Sequence, residues 1–238
     1  MSASQDRARA GAGASPFSSA GSARERVLGR VKAALGREHS EASADSLPDD
    51  VVQRLASHRR HTLPALGEDL VQRAIEQMES VLISVVRLQS SDDVVEAVRF
   101  WRESEGIEGG LSVSPALSNL NWPEGTHSGP ATGIETTSVT PCAAAVAETG
   151  SLALVSSADT PATLNFLPEN HAVVLYENQI VPHVDDVFPL LRQLSPMPRA
   201  LNFVTGPSRT GDIEQTIEIG AHGPRRMHVL LLPGDAPA

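Results

Sequence analysis

The 238-residue chain is 40% hydrophobic but only 3% aromatic, so its core must be aliphatic, built from Val, Leu, Ile and Ala. A formal charge of −10 repels nucleic-acid phosphates, and no apolar run approaches the roughly 18 to 20 residues of a membrane span. The first residues lack the hydrophobic stretch of a secretory signal, and a single cysteine, Cys142, excludes an internal disulfide framework and fits a reducing, cytoplasmic setting.

Residues 1–22 are rich in Ala, Ser and Gly without apolar periodicity and read as a disordered tail. From Ser22 to Leu35, Val27, Val31, Ala34 and Leu35 recur at helical spacing. Residues 1–37 are basic: Arg7, Arg9, Arg24, Arg26, Arg30, Lys32 and Arg37 face only Asp6 and Glu25. A basic N-terminal helix and its linker therefore occupy 23–47, suited to packing on the protein itself or to docking a partner. The remaining 48–238 form an α/β domain.

Within that domain Asp50 to His58 and Gly67 to Ser80 read as helices, and Val81 to Leu88 as a β-branched strand. Ser90-Ser91-Asp92-Asp93 caps a helix through Val94, Val98 and Trp101, and Leu111 to Ser114 is a short strand. Between Asn119 and Pro141 the pattern weakens, which predicts a long excursion over the sheet edge. Strands return at Ala143 to Ala147, Ser151 to Ser156, Ala172 to Tyr176, Leu201 to Thr205 and His228 to Leu232, with a helix from Asp185 to Leu194. Alternating helices and strands argue for a parallel sheet between helices, and the crowded later strands make it mixed.

Two segments carry chemistry. In Leu201-Asn202-Phe203-Val204-Thr205-Gly206-Pro207-Ser208-Arg209-Thr210-Gly211-Asp212, an apolar strand stops at Gly206 and exposes Ser208, Arg209 and Thr210 before a predicted helix. A helix N-terminus beside a guanidinium suits a carboxylate or phosphate. An ordinary corner, with Arg209 paired to a capping Asp212, explains the residues equally well. The cations available there are few, because Glu103 to Leu191 contains no Lys or Arg and the only lysine is Lys32. Schiff-base chemistry within the domain is thereby excluded.

In Ala144-Ala145-Val146-Ala147-Glu148-Thr149-Gly150-Ser151-Leu152, a carboxylate interrupts a buried small-residue strand. Such a charge needs a partner or a cleft, and in an apolar cleft Glu148 would be a raised-pKa acid, base or nucleophile. The plain alternative is a carboxylate that accepts backbone N–H groups and fixes the turn. Metal and nucleotide signatures are absent from the sequence: it has no Walker A run and no Gly-x-Gly-x-x-Gly after a strand. His58 and His61 sit at a fraying helix end and give no zinc site.

The Ala-Glu-Thr-Gly-Ser-Leu run, the Thr205–Glu214 segment and Gly220-Ala221-His222-Gly223-Pro224-Arg225 together resemble the lactate utilisation protein C family, also called LutC/YkgG-like or LUD-domain proteins. Order and spacing match from roughly Gly67 to Leu232. The resemblance implies a NagB/RpiA/CoA-transferase-like α/β fold and a LUD domain within 48–238. It also implies a role in L-lactate oxidation to pyruvate beside iron–sulfur partner proteins. One cysteine cannot ligate a cluster, so no cofactor is expected on this chain itself. Coenzyme A or another small anion is the expected ligand class.

Ligands of open α/β sheets bind outside the carboxyl ends of strands. Glu148 and Ser208–Thr210 both follow strands, so one crevice at that rim is expected to hold a small anion. Thr149, Gly150, Gly206, Ser208, Arg209 and Thr210 are the candidate binding residues, and Glu148 and His222 the candidate catalytic ones. Asn165 and Glu169 border a loop expected to wall the cleft. Two other functions fit the residues: a free-standing CoA-transferase-like or sugar-phosphate-type enzyme using Glu148, and a non-catalytic binding or regulatory module using the basic N-terminal helix.

Overall fold

A computed structural model describes residues 23–34, 48–57, 62–211, 217–220, 222–234 and 236. The expected tail over 1–22, the linker after Gly36, His58, His61 and the proposed cap Asp212 lie outside these residues. The chain divides into two units, residues 1–59 and 60–238.

In the first unit, α1 (Ala23–Ala34) and α2 (Asp49–Ser57) are helical, as their periodicity predicts. Asp49 and Asp50 open α2 and Arg54 lies in its last turn, each charge favourable to the helix dipole. No residue of α2 is buried.

In the second unit, α3 (Leu70–Ser80) leads into β1 (Ile83–Arg87), then α4 (Val94–Ser104) and β2 (Gly110–Val113). The short β3 (His127–Ser128) and β4 (Glu135–Pro141) follow. After them come β5 (Ala144–Val146), β6 (Ser151–Val155), β7 (Asn170–Tyr176), β8 (Ile180–Val181), α5 (Val184–Leu191) and β9 (Leu201–Val204). The chain closes with β10 (Arg209–Gly211), β11 (Ile217–Ile219) and β12 (Arg226–Leu232).

The central sheet is mostly parallel and lies between helices, as expected, and the expected antiparallel pairs lie in a second, smaller sheet. Six strands, in the order β1-β12-β7-β4-β2-β3, make the central sheet, and all their pairings are parallel. Four more, β8-β5-β6-β9, make a separate smaller sheet that holds the antiparallel pairs. The physical reason is the connection length: β5 and β6 are joined by a tight turn, which permits only antiparallel pairing, whereas the large sheet is built from crossovers.

Both faces of the large sheet are covered, which explains its near-continuous apolar strands. On one face Ile83, Val173, Leu175, Met227, Val229 and Leu231 pack with Ala74 and Met78 of α3 and with Ala145, Leu152 and Leu154 of the smaller sheet. On the other, Val139, Ala172, Val174 and Leu230 meet Val94, Val98 and Trp101 of α4. The far side of the smaller sheet carries α5 through Val187 and Leu191. Residues 144–147 are small, and all four are fully buried.

The excursion predicted from Asn119 to Pro141 ends in β4, which lies between β7 and β2 rather than over an edge. Its sequence, Glu-Thr-Thr-Ser-Val-Thr-Pro, is polar but β-branched. Two of its buried hydroxyls are paired: Ser138 Oγ donates to Leu164 O at 2.6 Å, and Thr140 Oγ1 lies 2.7 Å from His171 Nε2, while Thr137 Oγ1 is buried without a partner. Among the described residues, no helix is long and apolar enough to cross a membrane.

Candidate functional site at the carboxyl end of the smaller sheet

In the smaller sheet β5 runs parallel to β8, while β6 runs antiparallel to β5 and to β9. Strands β5, β8 and β9 therefore point the same way, and their carboxyl ends share one rim. Glu148 follows β5, His183 follows β8, Thr205-Gly206 follows β9, and Ser151 begins β6 at the same rim.

The turn after β5 is closed by Gly150 N–H donating to Val146 O at 2.8 Å, with Gly150 at φ +68°. Glu148 N–H donates to Pro182 O at 3.0 Å, which extends the β5–β8 pairing and brings the carboxylate beside His183. Glu148 Oε2 and His183 Nδ1 are 2.8 Å apart, with the side chains 34% and 10% exposed. Glu148 thus lies in no apolar cleft, contrary to one expectation: it is paired and open to solvent. An ionised carboxylate only accepts, so it holds the imidazole proton on Nδ1 and leaves Nε2 as the basic nitrogen. The His183 backbone N–H is held by Asp186 Oδ2 at 3.1 Å, anchoring the residue at the start of α5.

Next to this pair runs a line of hydroxyls. Thr149 Oγ1 and Ser151 Oγ are 2.7 Å apart, and Ser151 Oγ and Thr205 Oγ1 are also 2.7 Å apart. The line ties the Glu148 turn to the end of β9, so the two motifs do converge, through Thr149 and Thr205. Both turns press on the end of α3. A Cβ on Gly150 would come within 2.6 Å of Gln77 C and Met78 N, and one on Gly206, at φ +89°, would collide with Val81 O.

This rim differs in one respect from the expected one. Residues 77–81 precede β1, so the site borders the amino end of the parallel sheet and not its carboxyl end. The smaller sheet reverses the polarity because its strands are laid against the large sheet independently of the βαβ crossovers.

Among the described residues downstream of Gly206 there is no helix, and residues 212–216, at the expected helix start, lie outside them. Arg209–Gly211 and Ile217–Ile219 form a two-stranded antiparallel ribbon, in which Arg209 pairs with Ile219 and Thr210 with Glu218. The β-branched Thr210, Ile217 and Ile219 favour strand over helix here. The Arg209 side chain is exposed and, among the described residues, makes no hydrogen bond or ion pair.

Ser208 is held by its backbone: its N–H donates to Pro224 O at 2.9 Å and its carbonyl accepts from Gly220 N–H at 2.8 Å. His222, in the turn between those partners, is exposed. Among the described residues, no contact joins Arg209 or His222 to Glu148. Asn165 is buried and Glu169 O accepts from the Arg225 and Arg226 N–H groups, so both shape the framework.

His183, Ser151 and Thr205 escaped the sequence reading as site residues. The signal for His183 was its position, a histidine between a short apolar strand and the acidic start of a helix, Pro182-His183-Val184-Asp185-Asp186. Cys142 is buried, donates through Sγ to Ala144 O at 2.8 Å, and has its thiol pushed up to about 12 by burial. Among the described residues, no group of three or more His, Cys, Asp and Glu is placed to hold a metal ion.

The LUD domain model matches residues 135–232, from the first residue of β4 to the last of β12. Residues 135–232 are therefore similar to a LUD domain. The domain contains the whole smaller sheet, the Glu148–His183 pair and the Arg209 ribbon, while α3, β1, α4 and β2 lie before it.

The chain is similar to lactate utilization protein C of Anoxybacillus flavithermus, 34% identical over 79 residues, which cover 33% of this chain and 36% of that protein. The first similarity therefore spans little more than a third of the relative's length. The likeness to lactate utilization protein C of Shouchella clausii is longer and weaker, 24% identical over 190 residues, covering 77% of this chain and 80% of that protein. A crystal structure of a DUF162 family protein from Deinococcus radiodurans superposes with a TM-score of 0.52 at 21% identity, over 72% of this chain and all of that one. The α/β fold is thus shared with a solved structure.

Proposed function

We propose that this LUD-domain chain is a cytoplasmic component of an L-lactate utilisation system, acting with iron–sulfur partner proteins in the oxidation of L-lactate to pyruvate. The similarity over 190 residues to a protein named for lactate utilisation carries this reading. The rim of the smaller sheet supports it. Hydroxyls of Thr149, Ser151 and Thr205, with an imidazole oriented by Glu148, suit a small hydroxy- or oxo-acid. Arg209, uncommitted among the described residues, is the nearest cation in sequence to that rim and is the proposed carboxylate partner.

Deleting the gene should abolish growth on L-lactate, and the tagged protein should recover the iron–sulfur partners; normal growth with no partner recovered refutes the proposal. In a melting assay, a ligand at about a hundred times its dissociation constant stabilises the native state by roughly 2.7 kcal/mol. L-lactate or pyruvate should raise the midpoint of the wild type but not of Arg209→Ala.

A second reading keeps Glu148 as a nucleophile toward a coenzyme A thioester. It is favoured by the exposure of the carboxylate beside Gly150. Incubation with acyl-CoA and hydroxylamine would leave a hydroxamate on Glu148, and an unmodified Glu148 removes this reading.

A further inference from the structure

The large parallel sheet has its own carboxyl rim, which the Glu148 site leaves unused. A cleft of about 800 Å³ opens there. It is lined from the turns and ends that follow β1, β12, β7, β4 and β2, five neighbouring strands of the six. Open parallel sheets take their ligands at this position, and the volume falls within the range of small-molecule sites.

The chemistry of the lining is specific. No Asp, Glu, Lys, Arg or His is among the described residues that line the cleft. Val94, Leu117 and Leu232 supply apolar wall, while Ser91, Ser118, Asn119 and Tyr176 supply polar groups. Among the described residues, the side chains of Ser91, Ser118 and Asn119 have no protein hydrogen-bond partner, and Tyr176 stands in the capping turn with Gln179. Gln179, by contrast, is fully engaged: its amide donates to Cys142 O at 2.8 Å and accepts from Tyr176 N–H at 2.9 Å.

An anion is disfavoured here. The turn that opens α4 offers N–H groups, but Asp93 Oδ2 already accepts from Ser90 N–H at 3.0 Å, and Ser90 Oγ accepts from Asp92 N–H at 3.2 Å. The two carboxylates, Asp92 and Asp93, occupy the positive end of the dipole where a phosphate would otherwise sit.

We infer that this cleft is a second ligand site, built for an uncharged molecule with a flat apolar part and several hydroxyls, the chemistry of a nucleoside without phosphate. The apolar walls take the ring system, and Ser91, Ser118, Asn119 and Tyr176 take the hydroxyls. The inference is independent of the lactate reading, since none of its residues belongs to the Glu148 rim.

Adenosine and adenosine 5′-monophosphate, titrated into the full chain and followed by calorimetry and amide chemical shifts, test it. Adenosine should bind with a dissociation constant below about 5 mM and the monophosphate at least about tenfold more weakly. The shifts should centre on Ser91, Asn119 and Tyr176. Tyr176→Phe and Asn119→Ala should each weaken adenosine several-fold without moving the unfolding midpoint. The inference is overturned if the monophosphate binds as well as adenosine or if neither binds. It is likewise overturned if the shifts fall at Glu148 and Thr205, or if both variants bind as the wild type does.

Discussion

Two histidines in the large sheet are held neutral by their surroundings. His228 stacks on Trp101 at 4.9 Å with its Nδ1 2.7 Å from Ser84 Oγ, and burial pushes its pKa down to about 4. His171 is fully buried, meets Thr140 through Nε2, and is pushed down to about 3. In the unfolded chain both return to their ordinary value near 6.5. Between that value and the native ones the unfolded state binds more protons, so stability is complete above about pH 6.5 and falls as the pH drops toward 4. Each histidine is expected to contribute a slope of up to about 1.4 kcal/mol per pH unit in that window. Urea unfolding at pH 7.5, 6 and 5 measures it, and His228→Gln should flatten the curve. A stability unchanged between pH 7 and 5 contradicts this account.

At the scale of elements, the candidate rim depends on two turns seated against the end of α3. Gly150 combines φ +68° with backbone at 2.6 Å from where a Cβ would stand, and that backbone cannot rotate away. Gly125 has φ +83° but open space around it. Gly125→Ala should cost about 1 to 2 kcal/mol, the left-handed penalty alone, whereas Gly150→Ala should cost upward of about 3 kcal/mol because backbone must also shift. Chemical denaturation of both variants distinguishes the two effects, and equal losses would show that the α3 contact is unimportant. The start of α4 offers a smaller test. Ser90 exchanges hydrogen bonds with Asp92 and Asp93, so Ser90→Ala should destabilise by about 1 kcal/mol.

For the whole molecule, the three hydrophobic clusters draw, among the described residues, on positions from Leu66 to Leu232, all of them in the second unit. Residues 60–238 expressed alone should therefore unfold cooperatively, with a urea midpoint close to that of the full chain. A fragment lacking cooperative unfolding would show that the first unit contributes to the core. The layered arrangement also separates two rims by chemistry. The smaller sheet's rim carries a carboxylate, an imidazole and hydroxyls, while the large sheet's carboxyl rim carries neutral polar groups.

Local signals were legible in the sequence wherever the physics is local. The helices α3, α4 and α5 follow from apolar spacing and caps, and Ser90 caps as its neighbours suggest. The apolar strands β1, β7, β9 and β12 follow from β-branched runs, and the Glu148 and Gly206 turns from glycines where φ must be positive. Strand β4 was not legible, because a Thr- and Ser-rich segment reads as loop until partners for its hydroxyls exist, and Leu164 and His171 supply them from 26 and 31 residues away. The pairing of β10 with β11 was not legible after Gly206, because it is a tertiary choice over a weak local preference. Sequence alone determined the composition of the core, the acidic body and the two motifs. Only the tertiary structure decided that strands sort into two sheets, that His183 meets Glu148 across 35 residues, and which strand ends face each cleft. Contacts of that separation depend on register and layer order, which no local pattern encodes.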